Sequence, residues 1–520
     1  MANNKQEQLD EAVSALNELL CRPEHTSGWA IHPGTALSTG HKLILRKSGH
    51  IMPIIDGWYY ISEAGFKEWY TPLNWNKAYW DFVRGYMDEK YQDNWCLSSD
   101  MSLLFRCANG LIPRFLTVRS ERARTRAVDL PHMNEIMIVE GKLPEGVVRD
   151  PVHGVRLYPL GWALLTATPW FYTEYPTEAR TCLALLESAE EITETAIAQG
   201  FQKGASRVAG ALDSIGNPVM ADEIILEMRR HGYRVTKQNP FTEDVLIPMD
   251  RSAISSRIRL LWKRMRPAVL EAGQRYGISP ADRTVREVRE MMGTAYTPDA
   301  VNTLLLQEYS ITERQVIEAE RMNWEDVKKL DREQRLNATA ARGYRNAFDL
   351  FEVDILDVLT GGNEPDTLIR SVEYWHERMS LPMFRQALRP LDACQGFRDG
   401  PSYVKDTEHI PVEGACVEDA MATLKSEVYE EPDAFVRAVL GHFFILYIHP
   451  FIYDNAVMAR LFMNSQLLTA GFPWTTVPAG AEKDYHKAIE KAKVSGEIDE
   501  FADLMAFLVM KGTDTGERQE

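Results

Sequence analysis

Apolar residues recur every three to four positions through most of the second half of the chain. The segments RIRLLWKRMRPAVLEAG, AVNTLLLQEYSITERQVIEAE, ATAARGYRNAFDLFEVDILDVL and TLIRSVEYWHERM carry this period, which predicts amphipathic helices. DAFVRAVLGHFFILYIH is apolar almost all round and predicts a buried helix that Pro450 must stop. A further helix is expected from Asn455, with Met458, Leu461, Phe462, Ser465 and Leu468 inward and Gly471 ending it. The first half reads differently. EQLDEAVSALNELL has helical spacing, and HKLILRKSGHIMPIIDGWYYIS reads as two short strands about a turn. NWCLSSDMSLLF, LIPRFLTVRS and LPHMNEIMIVEG read as strands and turns, with helices at LGWALLTATPWFYT and EARTCLALLESAEEITETAIAQG. The division this suggests is a winged-helix-like unit at 1–62, an α+β region at 63–240 and a mostly helical domain at 241–515. The Trp- and Tyr-rich clusters of the first half are expected in its core. The tail after Lys511 is expected to be disordered.

Charge and composition narrow the function. With 520 residues, 45% of them hydrophobic, the chain can bury more than one core. A net charge of −17 excludes bulk electrostatic coating of nucleic acid. Residues 1–60 hold five Lys and Arg against six Asp and Glu. DNA contact through that unit is therefore the lesser alternative to a structural or protein-docking role. Cys21, Cys96, Cys107, Cys182, Cys394 and Cys416 form no CxxC pair, so reduced thiols are expected and no metal is assigned. The polar start MANNKQEQLDEAV and the lack of an apolar run of ~20 residues point to a cytoplasmic protein without a membrane partner.

Residues 449–460 read HPFIYDNAVMAR. This resembles the pattern HPFx[D/E]GNGRxxR of the Fic family, with His449, Pro450, Phe451, Asn455 and Arg460 in register. The resemblance implies a mainly α Fic fold with a β-hairpin flap, and transfer of AMP from ATP, with Mg²⁺, onto a target hydroxyl. It assigns His449 as general base, and Asn455 and Arg460 to nucleotide binding. Four positions depart from the pattern. Tyr453 replaces the acidic metal anchor, Asp454 and Ala456 replace two glycines, and Val457 replaces an arginine. Asp454 adds a charge worth roughly 4 kcal/mol against a phosphate at ~4 Å in an effective dielectric of ~20. It is also a good N-cap for the following helix, the role favoured over a displaced metal ligand. His449 could instead be a helix-terminal histidine satisfied by the dipole, and Arg460 could join a surface or core-capping ion pair. Weak ATP binding is the expectation.

Two further segments follow the family. DAVNTLLLQEY at 299–309 resembles the inhibitory helix [S/T]xxxE[G/N], with Thr303 in register and Gln307 where a glutamate would pair with Arg460. QGFRDGPSYVKDTEHIPVEG resembles the target-docking flap GxYRxGPVYIxxSxHxP, through Phe397, Arg398, Tyr403, Val404 and His409. A flap implies a protein partner added as a strand. GWYYISEAGFKEWY, NWCLSSDMSLL and VAGALDSIGNPVMADEIILEMRRHGYRV resemble the antitoxin-like, abortive-infection type region of one bacterial subfamily. Two functions remain: an adenylyltransferase with altered nucleotide use, or a catalytically dead relative that binds a partner or regulates transcription. A homo-oligomer stays open.

Overall fold

The computed structural model describes residues 2–21, 28–32, 34, 37–62, 73–250, 252–405 and 407–517. Part of the aromatic phrase after Ser62 and the last three residues of the tail lie outside them. The chain forms two compact units, one of residues 1–257 with 403–410, the other of 258–402 with 411–520.

The first unit begins with the helices Ala2–Leu20 and Thr39–Lys47 against strands β1 (Ala30–Ile31), β2 (Ile51–Pro53) and β3 (Tyr59–Ile61). The strands are antiparallel in the order β1-β3-β2. Leu16, Leu19, Ile31, Leu45 and Ile61 close a small core. HKLILRK, expected as a strand, lies in the helix Thr39–Lys47. Ser38 Oγ accepts the His41 N–H at 3.0 Å, which caps a helix there. A second sheet holds β4 (Cys96–Leu97), β5 (Phe115–Ser120), β6 (Arg126–Asp129) and β7 (Glu135–Glu140) in the order β4-β5-β7-β6, with β5 and β7 parallel. Between β4 and β5 the expected extended segment is instead the helix Ser99–Arg106, capped by Ser98. Trp58, Trp75, Tyr79, Phe82, Tyr86 and Trp95 are buried in one cluster, so the aromatics do form core. Helices from Leu160 to Arg230 complete the unit.

The second unit is helical. Arg332–Leu359 packs along Ser371–Arg385, and Ala434–Ile448 packs along Asn455–Thr469. Phe443, Phe444, Leu440 and Ile445 on the first of the latter pair, and Leu461, Phe462 and Leu467 on the second, are almost wholly buried. Each contributes roughly 1.5–3 kcal/mol of transfer free energy. Gly441 permits the close approach: a Cβ there would lie 2.0 Å from the Phe462 ring. The last helix, Asp499–Glu517, continues past Lys511, against the expectation of a disordered tail.

Candidate functional site

The site lies where Ala434–Ile448 hands over to Asn455–Thr469. Asp433 caps the first helix by accepting the Val436 N–H at 2.9 Å. The helix stops at His449 because the residue before a proline is excluded from the right-handed helical region; His449 turns left-handed, with φ 55° and ψ 60°. Arg398 holds this turn. Its buried guanidinium donates to the carbonyls of His449 at 2.7 Å, Ile448 at 3.1 Å and Gly400 at 2.7 Å, and also to Val412. Burial pulls Arg398 down to about 10. Arg398 thus fastens the site from within instead of facing a partner. Phe397 packs against Phe451 with centroids 5.6 Å apart.

Asn455 closes the loop. Its Oδ1 accepts the Phe451 N–H at 2.9 Å and its Nδ2 donates to the Phe451 carbonyl at 2.8 Å. The same Nδ2 stands 3.2 Å from both nitrogens of His449, so it selects neither tautomer. Ser402 Oγ is 3.0 Å from His449 Nδ1. His449 as a whole is half-buried. Burial, with Lys493 and Arg398 adding to it, pulls its pKa down to about 3. The ring is therefore neutral at physiological pH and able to accept a proton, and an arriving anion would stabilise the imidazolium. Lys493 is itself buried, with its ammonium pulled down to about 8 by burial. Neither Ser402 nor Lys493 was singled out from the sequence.

Asp454 departs from the expected cap. It takes the left-handed conformation, φ 64° and ψ 14°, and its side chain makes no cap bond among the described residues. That backbone shape is the one a glycine adopts freely and an aspartate tolerates. The carboxylate turns inward to Arg389, accepting from Nη1 and, at 3.4 Å, from Nη2; Ser380 Oγ donates to it at 3.2 Å. Arg389 also donates to Tyr309 Oη at 3.0 Å and lies 4.2 Å from the centre of the Tyr453 ring. Burial opposes the Arg389 charge, and Asp454 outweighs it, holding the guanidinium above its ordinary value. Two apparent losses, Tyr453 for the acid and Asp454 for a glycine, are thus two contacts to one arginine. The Asp454 charge is neutralised rather than aimed at a ligand. The first-turn N–H groups of the next helix, which no helical carbonyl can satisfy, keep their capacity for an anion.

Val457 is fully buried, so an apolar side chain completes the core where the pattern has a cation. Ala456 is half-buried. Arg460 is 2% exposed, and its guanidinium donates to Thr303 Oγ1 at 3.2 Å and to the Thr303 carbonyl at 3.4 Å. Its Nη1 makes no hydrogen bond among the described residues. It therefore joins no surface ion pair. Thr303 passes on to the buried Asp299 at 3.4 Å, which also accepts from Trp474 Nε1 at 3.1 Å and Thr476 Oγ1 at 2.7 Å. Burial raises the Tyr485 phenol, and Arg460 opposes it. Gln307 lies beyond the helix Val285–Leu305, half-buried, and the contact from this segment to Arg460 is made by Thr303. Glu308, at the pattern's glycine, has φ 62°.

The flap residues Tyr403, Val404 and His409 belong to the first unit. There His409 pairs with Leu111 as an antiparallel bridge, and the Ile410 N–H donates to the Gly110 carbonyl at 2.6 Å. Gly110 has φ +64°, and a Cβ on it would lie 2.2 Å from the Ile410 carbonyl oxygen.

The residues present do not fit a protein-anchored Mg²⁺. Tyr453 has no carboxylate, Asp454 is tied to Arg389, and no cluster of three or more His, Cys, Asp or Glu among the described residues could hold a metal. They do fit an anion, through Arg460 Nη1 and the open helix start.

His449 thus ends a buried helix within hydrogen-bond reach of Ser402 and Asn455, and Arg460 is buried on the helix that follows. Residues 371–467 match the Fic/DOC family, and the chain carries a Fic/DOC domain there. The protein adenylyltransferase Fic of Nematostella vectensis is 30% identical over 121 residues, 22% of this chain and 27% of that protein. That of Drosophila willistoni is 28% identical over 140 residues, 26% of this chain and 28% of that protein. The chain thus spans little more than a quarter of the length of these relatives. Among solved structures, Fic-1 (aa134–508) of C. elegans covers 67% of this chain and 98% of its own, at 17% identity and a TM-score of 0.38. A Fic family protein from Desulfovibrio desulfuricans G20 covers 50% and 74%, at 17% identity and a TM-score of 0.33. Among the described residues no helix is long and apolar enough to cross a membrane.

Proposed function

We propose that this protein transfers a nucleotidyl group, AMP from ATP, onto a protein hydroxyl inside the cell, with His449 as base and a weakened hold on the nucleotide. The observation that carries this reading is Arg460, a buried guanidinium whose Nη1 makes no hydrogen bond among the described residues, on a helix whose start has no side-chain cap. A cation in that state is stabilised by an anion. Asn455 fixes the loop, and Arg389 removes the Asp454 charge from the phosphates' path. Val457 leaves one cation missing, and a charged hydrogen bond contributes about 1.5–3 kcal/mol, so affinity falls by roughly ten- to hundredfold. No step is assigned to Mg²⁺.

Calorimetry of the full chain with ATP tests this. Dissociation constants in the high micromolar range are expected, with binding lost in Arg460→Gln. A low-micromolar value refutes the weakened site, and equal binding by Arg460→Gln refutes the role of Arg460. The full burial of Val457 favours a second reading, a non-catalytic relative that docks a partner through the 403–410 segment, with the first unit as antitoxin-like repressor or dock. Total absence of nucleotide binding would select it.

A further inference from the structure

The hydroxyl in hydrogen-bond contact with the proposed base belongs to the chain itself. Ser402 Oγ lies 3.0 Å from His449 Nδ1, the separation of an O–H···N hydrogen bond. The pattern that the flap resembles has valine at this place, so the contact belongs to this sequence.

The pair is held on both sides. Arg398 donates to the His449 carbonyl at 2.7 Å and to the Gly400 carbonyl, two residues before Ser402, also at 2.7 Å. One buried guanidinium therefore fixes the backbone carrying the base and the backbone carrying the hydroxyl. Pro401 stiffens the short link from Gly400 to Ser402. Asn455 holds the other edge of the turn through both atoms of its amide. A serine pre-oriented against a neutral imidazole is the arrangement by which a weak oxygen nucleophile becomes reactive.

We propose that Ser402 is a His449-activated nucleophile, and that the protein marks itself by accepting a phosphorus-linked group on Ser402 Oγ. With a nucleoside triphosphate as donor, the Oγ–Pα bond forms as the bond from Pα to the pyrophosphate oxygen breaks. The hydroxyl proton passes to His449 Nδ1, pyrophosphate leaves, and a phosphodiester remains on Ser402. The choice of donor rests on the function proposed above; the serine–histidine pair does not.

Two arms on the full chain test it. In the first, the protein is treated with a fluorophosphonate probe, whose phosphorus is attacked with loss of fluoride, and labelled peptides are mapped. Labelling at Ser402 is expected, lost in Ser402→Ala. It should fall at least tenfold in His449→Ala and in His449→Asn, which keeps a hydrogen-bonding side chain but no base. No label on Ser402, or equal labelling without the histidine, overturns the proposal, because a serine that merely orients the ring would behave so. In the second arm, ATP is added and the intact mass measured. One AMP at Ser402 supports the proposal. Calorimetric ATP binding without adenylate on Ser402 overturns self-marking. If ATP does not bind at all, the function proposed above fails and the probe arm alone decides the nucleophile.

Discussion

Replacing Arg389 tests whether the altered loop is a compensated structure. The Asp454 side chain is 2% exposed and that of Arg389 11%. Arg389→Met keeps the length and the apolar stem but leaves a buried carboxylate with, among the described residues, Ser380 Oγ as its side-chain donor. Removing one member of a buried ion pair costs about 3–5 kcal/mol. Asp454→Gly should cost less, roughly 1–2 kcal/mol. Glycine relieves the left-handed backbone, and Arg389 keeps Tyr309 Oη and the Tyr453 ring. The double variant removes both charges and should approach the wild type, a coupling of at least ~2 kcal/mol. Native-state hydrogen exchange of the 455–469 amides, read by mass spectrometry, reports stability locally and does not require the two units to unfold together. Arg389→Met should speed their exchange by well over tenfold, and Asp454→Gly should restore it. If protection falls less than about fivefold, roughly 1 kcal/mol, or if the two losses add, the compensation argument is wrong.

The folded pKa of His376 is lowered by burial to about 4 and that of His449 to about 3. The unfolded chain therefore takes up protons first as pH falls from ~6.5, and stability should fall through that window by about 1.4 kcal/mol per pH unit for each histidine. His376→Phe should flatten the measured slope of stability against pH by one histidine's share; an unchanged slope counts against it. Thr303→Val removes a hydroxyl from Arg460 and should shift the ATP dissociation constant, whereas Gln307→Ala should leave it and any transfer unchanged, as calorimetry and labelled-ATP incorporation will show. Gly110→Val meets both a positive φ and the Ile410 carbonyl, so limited proteolysis should cut at 403–410 much faster than in the wild type; equal rates would refute the pairing.

Much of the site was legible, because its residues carry their roles in spacing. His449, Asn455 and Arg460 sit in one short motif, and the two flanking helices announced themselves through an apolar run and a helix-stopping proline. Arg389 was illegible. It lies 65 residues before Asp454 in a segment without pattern, and only the fold shows that Tyr453 and Asp454 answer to it. Asp454 was read as a cap because capping is local chemistry, and the tertiary partner won. HKLILRK failed for another reason: a short apolar run does not separate strand from helix, and the Ser38 cap decides it. Ser402 looked like any loop serine until its distance to His449 was known.

The close pairing permitted by Gly441 has a consequence for how this loop can change. His449 ends one helix and Arg460 sits a turn and a half into its neighbour, and the Gly441–Phe462 contact sets the two helices as fixed abutments. The intervening residues are a span between them. A span can be rebuilt plank by plank while its ends stay put, provided each replacement finds its own support beneath. Arg389 is that support here. The side chains at the ends and the composition of the middle are therefore separable traits, and a family pattern that scores them together weighs two traits as one.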